Sequence, residues 1–312
     1  MQTRFTLRQL EYLVAVGRAG SISLAAEALS VSPPSISNAI AQLEAEFGLP
    51  MFVRKHAQGM ALTQAGRDLM QQADAVLDAA RAMSHLADQH IGSVRGELNL
   101  GCLLTFAQIL VPRLRRAFTD AHPQVTFHQF QNHQAGLIDA LRNATLDIAL
   151  TYDLMIPADM EFVELASLPA FAILPAAHPL AQKPNLTLAD LEPNPMILLD
   201  IPISAAYFQS LFDQAGLCPN IVERTQDMAV VHALVGNDFG YSIANTRPAS
   251  ETAPDGKPLA FRPIAGGIKP MRMGLLTTSG GKSSLTVRAF AQACRAELTL
   301  ELLAQISVRA PQ

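Results

Sequence analysis

The segment Gly280-Gly281-Lys282-Ser283-Ser284 has the composition of a phosphate-binding loop, in which glycine N–H groups and a lysine hold phosphate oxygens. Such a loop also needs a glycine five residues before its last glycine, and this position is Leu276. We therefore interpret the segment as an ordinary loop in which Ser283 or Ser284 caps the next helix.

Residues suited to catalysis or metal binding are scattered along the chain. There is no GxSxG or HExxH sequence, and His128 and His133 are more typical of hydrogen-bonding residues than of ligands. Cys102, Cys218 and Cys294 form no CxxC pair, so neither a zinc site nor a disulfide framework is indicated. We expect no catalytic residue, no metal and no cofactor. Cys102 and Cys294 are interpreted as buried small hydrophobic residues, with redox sensing as the alternative.

A segment near the N terminus carries polar side chains that suit DNA. Ser32 is a good helix N-cap, and Pro33 occupies the first helical position, where its missing N–H costs nothing. The predicted helix runs to about Phe47, with apolar and polar residues on opposite faces. The apolar residues are Ile36, Ile40, Leu43 and Phe47, and the polar residues are Ser35, Asn38 and Gln42. Asparagine and glutamine suit adenine edges, and serine suits phosphates or either base. A merely solvated helix face is the alternative.

This helix needs neighbouring elements to hold it in place. A first helix is predicted from Thr6 to Val16, broken by Gly17 and Gly20, and a second over Leu24–Leu29 with Ser21 or Ser23 as its cap. Two extended runs, Met51–Arg54 and Met60–Leu62, follow and predict a small β wing. Residues 1–62 therefore have the pattern of a winged helix-turn-helix domain.

A long helix is predicted from Thr63 to about His90. Alternating four- and three-residue spacing gives it a heptad stripe with small residues at alternate positions. The stripe consists of Leu69, Ala73, Val76, Ala80, Met83 and Ala87. Because an apolar stripe of this length needs a covering partner, we expect it to form the seam of a dimer.

From Gly96 onward the pattern alternates between strands and helices, which favours parallel α/β layers. The predicted strands are Leu98–Leu103, Val125–Gln131, Asp147–Thr151, Phe162–Leu168, Phe171–Pro175, Met196–Leu199, Asn220–Arg224, Tyr241–Ala244 and Met271–Thr277. The predicted helices are Phe106–Ala121, Leu137–Asn143, Ala205–Ala215, Met228–Val235 and Leu285–Leu303. Residues 93–312 are thus expected to form a larger α/β domain.

Composition limits the classes of protein that fit. The net charge is −4, and residues 1–62 hold five basic against four acidic side chains, so any nucleic-acid binding must be local. Charged residues make up 16% of the chain and hydrophobic residues 49%, which argues against a disordered chain. No run approaches the ~20 apolar residues that span a bilayer, and the start lacks an apolar signal core. We expect a cytoplasmic protein with no membrane partner.

The chain resembles the LysR-type transcriptional regulator family almost from end to end. The strongest signal is in the first 66 residues: FTLRQLEY at 5–12, GSISLAA at 20–26, LSVSPPSIS at 29–37, Leu43-Glu44, GLPMFVR at 48–54 and LTQAG at 62–66. Weaker similarities are LDIAL at 146–150, HPL at 178–180 and GYS at 240–242.

The resemblance implies a winged helix-turn-helix domain, a linker helix over residues 63–92 and a periplasmic-binding-protein-like effector domain of two lobes. Lobe one would comprise about 93–168 plus 271–308, and lobe two about 169–270, with crossings near Leu168–Pro169 and Gly267–Met271. It also implies dimers or tetramers, double-stranded operator DNA with an inverted repeat in the family's manner, and leaves room for a contact with RNA polymerase.

The resemblance assigns DNA contacts to the first domain. Arg54 in the wing and Thr63 at a helix start would contact phosphates, with a salt bridge and a plain N-cap as their alternatives. The full predicted set is Ser21, Ser23, Ser32, Pro33, Pro34, Ser35, Ser37, Asn38, Gln42, Arg54 and Thr63. Pro33 replaces a common glutamine and Asn38 a common arginine or glutamine, so the base preference is expected to differ from that of typical relatives.

The effector site is expected between the lobes. Thr105 and Ser204 are each predicted to open a helix, on loops that the resemblance places across the cleft and that commonly hold a small carboxylate. Apolar neighbours such as Leu103 and Ile203 favour a partly apolar ligand. Further candidates follow strand ends, where ligands of α/β sheets collect: Asn132, His133 and Tyr152.

Asp200 complicates the predicted effector. A carboxylate that faced the pocket would repel an anion and favour a ligand with an amine, such as an amino acid; a carboxylate that faced away would leave a small monocarboxylate favoured. The predicted function is a DNA-binding regulator controlled by a small molecule. A solute-binding protein without DNA function and an enzyme on an α/β scaffold are the alternatives, and a gel-shift assay would separate the first from the regulator.

Overall fold

The computed structural model describes residues 4–55, 59–91, 93–279 and 284–308, with the side chains of 54, 55, 78, 81, 82 and 84–91 left out of the description. The chain divides into two compact units, residues 1–92 and 93–312. Within the described residues, no helix is both long and apolar enough to cross a bilayer.

Three helices open the first unit. They are α1 (Leu7–Ala19), α2 (Ile22–Ala28) and α3 (Pro33–Phe47). A capping box of Thr6 and Gln9 starts α1, and Gly20 ends it in the left-handed conformation, with φ of 63°. The three helices share one core with the segment that follows, because their apolar faces meet around such fully buried residues as Val16, Ile36 and Leu43.

A two-stranded wing and a long helix complete this unit. Strands β1 (Phe52–Lys55) and β2 (Gly59–Leu62) pair in antiparallel register, and α4 runs over Gln64–Ile91. The wing is tied to α1 by a hydrogen bond from the Met60 N–H to the Gly20 carbonyl at 2.8 Å. The wing's tip, residues 56–58, lies outside the described residues.

Two local predictions for the first unit were wrong, and the choice between two caps for α2 is decided. Gly17 lies inside α1 rather than ending it, at a point where the Met70 sulfur of α4 leaves little room for a side chain. Ser23 lies within α2, whose cap is Ser21. Met51 precedes β1 and is fully buried in the core.

Lobe one of the second unit is built on a five-stranded mixed sheet. Its strands are β3 (Gly96–Cys102), β4 (Val125–Gln131), β5 (Ile148–Tyr152), β6 (Met160–Leu168) and β12 (Met271–Thr278), in the order β4-β3-β5-β12-β6. The first three are parallel, and β12 is antiparallel to both neighbours. The helices are α5 (Leu104–Ile109), α6 (Val111–Ala121), α7 (Gln134–Arg142), α11 (Leu285–Glu297) and α12 (Leu300–Ile306).

Lobe two contains the segment between β6 and β12. Strand β7 (Phe171–Pro175) pairs antiparallel with β10 (Ser242–Ala244) and β11 (Leu259–Pro263), while β8 (Pro195–Leu199) and β9 (Asn220–Thr225) are parallel. Its helices are α8 (Leu188–Leu191), α9 (Pro202–Gln214) and α10 (Met228–Gly236), with a 3-10 turn at Pro179–Gln182.

The chain passes between the lobes twice. Residues 169–170 join β6 to β7, and residues 264–270 join β11 to β12. The C-terminal helices return to lobe one, where Phe290, Leu302 and Ile306 enter the same core as Leu98 and Leu150. Met271 pairs with Leu168 and Pro263 with Phe171, so the two crossings run side by side.

Several element predictions in this unit need correction. The helix predicted as Phe106–Ala121 is two helices, because Leu110 leaves the helical path before Pro112. The predicted helix Leu285–Leu303 is likewise divided near Leu298. Strand β11 was missed, and the lobe-one sheet is mixed rather than parallel because β12 enters it from the far end of the chain.

Candidate functional sites

The polar face of α3 is exposed. The seven predicted DNA-contacting residues on this helix and its cap all lie in solvent: Ser32, Pro33, Pro34, Ser35, Ser37, Asn38 and Gln42. Phe47, predicted on the buried face, is 36% exposed and stacks its ring against Phe5 with centroids 5.5 Å apart. The reading face of α3, which is the name we give these seven residues, is therefore free of the unit's own core.

The start of α3 offers few backbone donors. Pro33 and Pro34 have no N–H, so the first two donors of the helix are missing. The Ser35 N–H donates to the Ser32 carbonyl at 3.0 Å. The Ser32 hydroxyl makes no cap and bonds the Ser35 hydroxyl at 2.8 Å, so the prediction of a side-chain cap was wrong. This helix start presents side chains rather than N–H groups.

Asn38 and Gln42 differ in which of their amide groups are free to form hydrogen bonds. The Gln9 side chain donates to the Gln42 carbonyl oxygen at 2.8 Å, which leaves Gln42 only its NH₂ group. Among the described residues Asn38 has no hydrogen-bond partner, so both its amide groups are available. Since paired recognition of adenine needs one donor and one acceptor, Asn38 is ready for it and Gln42 is not.

The remaining predicted DNA contacts have different surroundings. The Thr63 hydroxyl donates to the Pro50 carbonyl at 2.7 Å and accepts from the Gly66 N–H at 2.9 Å. The Ser21 hydroxyl accepts from the Leu24 N–H at 3.5 Å, while Ser23 is exposed. Arg54 lies in β1, and its side chain is outside the described part. Thr63 is thus a helix cap whose hydroxyl proton is already used.

The predicted stripe along α4 divides into two parts. Ala73 is 3% exposed, within the core that α1 and α4 share, so assigning it to a dimer seam was wrong; the half-buried Leu69 packs against the same core. Val76 is 41% and Met83 75% exposed, and Ala80 is half-buried. The side chain of Ala87 lies outside the described part. The unpartnered stripe of α4 therefore consists of Val76, Ala80 and Met83.

A cavity of about 580 Å³ lies between the lobes of the second unit. The structure brings all seven predicted effector residues together along its wall: Leu103, Thr105, Asn132, His133, Tyr152, Ile203 and Ser204. Asn132 and His133 follow β4, and Tyr152 ends β5. The expectation that ligands collect at strand ends therefore placed these three lobe-one residues correctly on the cavity wall.

The lobe-two wall was largely missed. It includes Gln226 and Met228, which follow β9, and Ala244, Asn245 and Thr246, at the end of β10. The same strand-end signal would have found these residues, had it been applied to both lobes. Other residues that complete the lining are Leu104, Gln131, Gln134, Ala135, Leu154, Leu199, Ile201, Pro202, Phe208 and Met271.

Thr105 and Ser204 are not N-caps, contrary to prediction. The cap positions of α5 and α9 are held by Leu103 and Ile201, and neither side chain can accept a hydrogen bond from the helix. Thr105 is the second residue of α5 and Ser204 the third of α9. The N–H groups of the first turn of α9 after Pro202 thus receive no side-chain cap at the cavity wall.

The cavity wall carries no formal charge. None of its lining residues, all within the described part of the chain, is Lys, Arg, Asp or Glu. The His133 Nδ1 accepts the Gly136 N–H at 3.1 Å, so a neutral ring carries its proton on Nε2. Gln134 is fully engaged, donating to the Tyr152 and Leu154 carbonyls and accepting from Thr151.

Asp200 does not contribute to this wall. Its carboxylate lies 3.5 Å from Arg224 and is absent from the lining. This settles the question that the sequence left open, since the carboxylate that would repel an anion faces away. The reason for preferring an amine-bearing ligand is therefore removed.

The deepest residues of the second unit remain uncharged. Burial raises the pKa of the Tyr152 hydroxyl above its ordinary value, and the Tyr152 and Thr246 hydroxyls lie 3.4 Å apart on the cavity wall. Burial likewise raises the pKa of Cys102 to about 11 and of Cys294 to about 12. Because a thiolate is the reactive form, these two cysteines have the character of inert core residues.

Comparison with known proteins assigns both units. Residues 7–67 match the family model of the bacterial regulatory helix-turn-helix protein of the lysR family, and residues 92–299 match the LysR substrate binding domain. The chain is 30% identical over 291 residues to the transcriptional activator protein LysR of Escherichia coli, covering 91% of this chain and 90% of that protein.

Solved structures agree with this assignment. HinK, a LysR family transcriptional regulator from Pseudomonas aeruginosa, is 32% identical with a TM-score of 0.64, covering 94% of this chain and 99% of that chain. Full-length CbnR in complex with its target DNA is 26% identical with a TM-score of 0.56, covering 94% and 99%. This chain therefore belongs to the LysR family of transcriptional regulators, with a DNA-binding helix-turn-helix unit and an effector-binding domain.

Proposed function

We propose that this regulator reads its operator through the reading face of α3 and responds to a small, mostly apolar monocarboxylate bound between the lobes. The observation that carries the proposal is the uncharged cavity at the uncapped start of α9. A regulator that reads operator DNA acts where the DNA is, so we place it in the cytoplasm. We include a contact between this regulator and RNA polymerase in the same proposal.

Asn38 is the proposed base-reading residue. It is exposed and has both amide groups free within the described part of the chain, at the middle of the reading face. An asparagine amide can accept from the N6 amino group of adenine and donate to its N7. Ser35 and Ser37 flank it and suit phosphates, and Arg54 of the wing is proposed as a phosphate contact.

Dimerisation is proposed through the unpartnered stripe of α4. Val76 and Met83 expose large apolar side chains on one side of the helix, with Ala80 between them. Small residues between large ones let two helices approach closely. A dimer would place two reading faces on two operator half-sites, as the symmetry of an inverted repeat requires. The relatives' family forms such assemblies, and we extend this to the present chain.

The effector's carboxylate is proposed to lie at the start of α9. The N–H groups of Ile203 and Ser204 have no side-chain cap, and the N-terminus of a helix favours negative charge. The walls are otherwise formed largely by aliphatic and aromatic residues such as Leu154, Phe208 and Met271. With no cation on the wall, a multiply charged anion would be poorly compensated, which favours a single carboxylate on an apolar body.

Binding without chemistry is the proposed role of the cavity. Catalysis by Thr105 or Ser204 would need a general base within hydrogen-bond reach. His133 is the lining residue suited to that role, and its Nδ1 lone pair is occupied by the Gly136 N–H. A solute-binding protein without DNA function would leave the first unit unexplained.

Two experiments test this function. Purified protein should retard DNA from upstream of its neighbouring genes in a gel-shift assay, in the presence of excess unrelated DNA. A Thr105→Val, Ser204→Ala double variant should keep this binding and weaken the effector's transcriptional response. Ser210→Ala is the matched control, since Ser210 lies on α9 but outside the cavity and bonds the Tyr207 carbonyl. Unaltered effector sensitivity in the double variant would show that neither hydroxyl contacts the ligand.

A further inference from the structure

Asn245 is a buried polar residue on the cavity wall with one unsatisfied group. It follows β10 directly and is 3% exposed. Its amide nitrogen donates to the Leu168 carbonyl at 2.9 Å. Its amide oxygen is buried and accepts no hydrogen bond from any described residue. A buried acceptor without a donor is unfavourable, and such groups are uncommon in folded proteins.

The orientation of this amide is fixed by its surroundings. Rotating the amide by half a turn would point its oxygen at the Leu168 carbonyl, which can only accept. The oxygen is therefore the free group. Asn245 lines the cavity, so a molecule bound there would lie next to this residue.

A neighbouring tyrosine does not satisfy the oxygen. Burial raises the pKa of Tyr207, and contact with the Asn245 side chain partly offsets this, so the two groups lie close together. The Tyr207 hydroxyl, however, donates its single proton to the Lys269 carbonyl at 3.4 Å. Tyr207 also stays outside the cavity lining.

We infer that Asn245 is a ligand-binding residue and that the effector carries an uncharged hydroxyl or amide donor in addition to its carboxylate. The inference rests on the proposed monocarboxylate site. An ammonium donor is disfavoured, because no carboxylate lies on the wall to balance a buried positive charge. A purely hydrocarbon monocarboxylate would leave the Asn245 oxygen unpaired.

Asn245 lies next to the first crossing between the lobes. Leu168, which accepts from its nitrogen, is the last residue of β6 before the first crossing. The next residue, Thr246, meets Tyr152 of lobe one. A donor that engages Asn245 would thus bind beside the first crossing between the lobes.

Matched probes test the inference on the purified full-length protein. The probes are phenylacetate, its 2-, 3- and 4-hydroxy derivatives and the corresponding methyl ethers, with binding measured by calorimetry. They vary the distance between carboxylate and hydroxyl, and a methyl ether keeps the oxygen but cannot donate. At least one hydroxy isomer should bind about tenfold more tightly than both its ether and phenylacetate, as expected for one hydrogen bond that satisfies a buried acceptor.

Variants assign the preference to Asn245. In Asn245→Leu the hydroxy and methoxy probes should bind equally. Tyr207→Phe leaves the Asn245 amide in place and should keep the preference. If Asn245→Leu proves unstable by circular dichroism, the preference of the wild-type protein still decides, because its absence alone overturns the inference.

The outcomes separate this inference from the function on which it rests. Phenylacetates that bind without a hydroxyl preference, or with one that survives Asn245→Leu, would overturn the role of Asn245 and leave the monocarboxylate site standing. Failure of every probe to bind would overturn both.

Discussion

Helices α3 and α9 both begin with proline, yet they present opposite chemistry. In α3 the sequence Ser32-Pro33-Pro34 removes the first two N–H donors, and the serine side chain makes no cap. In α9 the sequence Ile201-Pro202-Ile203 removes one donor, and the apolar cap residue leaves the following N–H groups without a side-chain partner. The second proline of α3 therefore removes N–H donors that α9 keeps. Because α9 keeps them, its start can hold an anion, whereas the start of α3 cannot.

The two units place the groups proposed for recognition in different surroundings. The reading face of α3 uses side chains in solvent, where an unpaired amide costs little because water satisfies it. The cavity uses groups removed from water, where an unpaired one is costly and therefore informative. Recognition in the first unit should respond to side-chain truncation, and recognition in the second to loss of a backbone donor.

The largest expected effect separates the two units by assembly. Val76→Asp places a carboxylate in the unpartnered stripe of α4, which would bury an unpaired charge in the proposed dimer. We expect monomers in sedimentation and a loss of operator affinity of about 100-fold or more, since two linked half-site contacts become one. Ligand binding in the cavity should be unchanged.

Gln71→Asp is the matched control for this variant. Gln71 is exposed on the other side of α4, so the same charge there should leave the dimer intact. A dimeric Val76→Asp protein would remove this stripe as the dimer contact.

Asn38→Ala tests side-chain reading by α3. Loss of a paired base contact should weaken specific operator binding by roughly 1–3 kcal/mol, and binding to unrelated DNA should hardly change. Gln42→Ala should weaken specific operator binding less, because the Gln9 side chain already donates to the Gln42 oxygen. Arg54→Ala should instead weaken binding to all sequences and reduce the salt slope by about one. Unaltered sequence preference in Asn38→Ala would show that the reading face lies elsewhere.

Ile203→Pro makes the start of α9 resemble that of α3. The double proline in α3 shows that a helix of this chain can start in this way. Removing the Ile203 N–H should weaken effector binding by about 3- to 30-fold, the range expected for an anion at a helix start. Ile203→Val keeps the N–H and is the control. Equal affinity of the proline and valine variants, measured by calorimetry, would exclude α9 as the anion site.

Pro34→Ala makes the reverse change and has the smallest expected effect. Restoring an N–H at the start of α3 should raise affinity for unrelated DNA by about two- to fivefold at low salt. The gain should vanish at high salt, and sequence discrimination should stay the same. A changed base preference in fluorescence anisotropy would mean that the Pro34 ring itself contacts a base.

Prediction from sequence worked where local chemistry decides the outcome. The bounds of α3, from Pro33 to Phe47 with Gly48 as its cap, follow from proline at one end and a left-handed glycine at the other. Strand ends located Asn132, His133 and Tyr152 on the cavity wall. The caps of α5 and α9 were misplaced because apolar residues hold those positions, and a propensity for hydroxyl caps cannot foresee this.

Sequence patterns are enough to predict the two units, the polar face of α3 and the lobe-one residues of the cavity wall, because each depends on periodicity or on neighbours in the chain. Tertiary structure alone decided which part of α4 is buried by α1, that Asp200 turns to Arg224, and that the Asn245 oxygen lacks a partner. These outcomes depend on residues far apart in sequence, such as Asn245 and Leu168. Which of two polar atoms remains unsatisfied is set by the packing around it, and no local pattern encodes that.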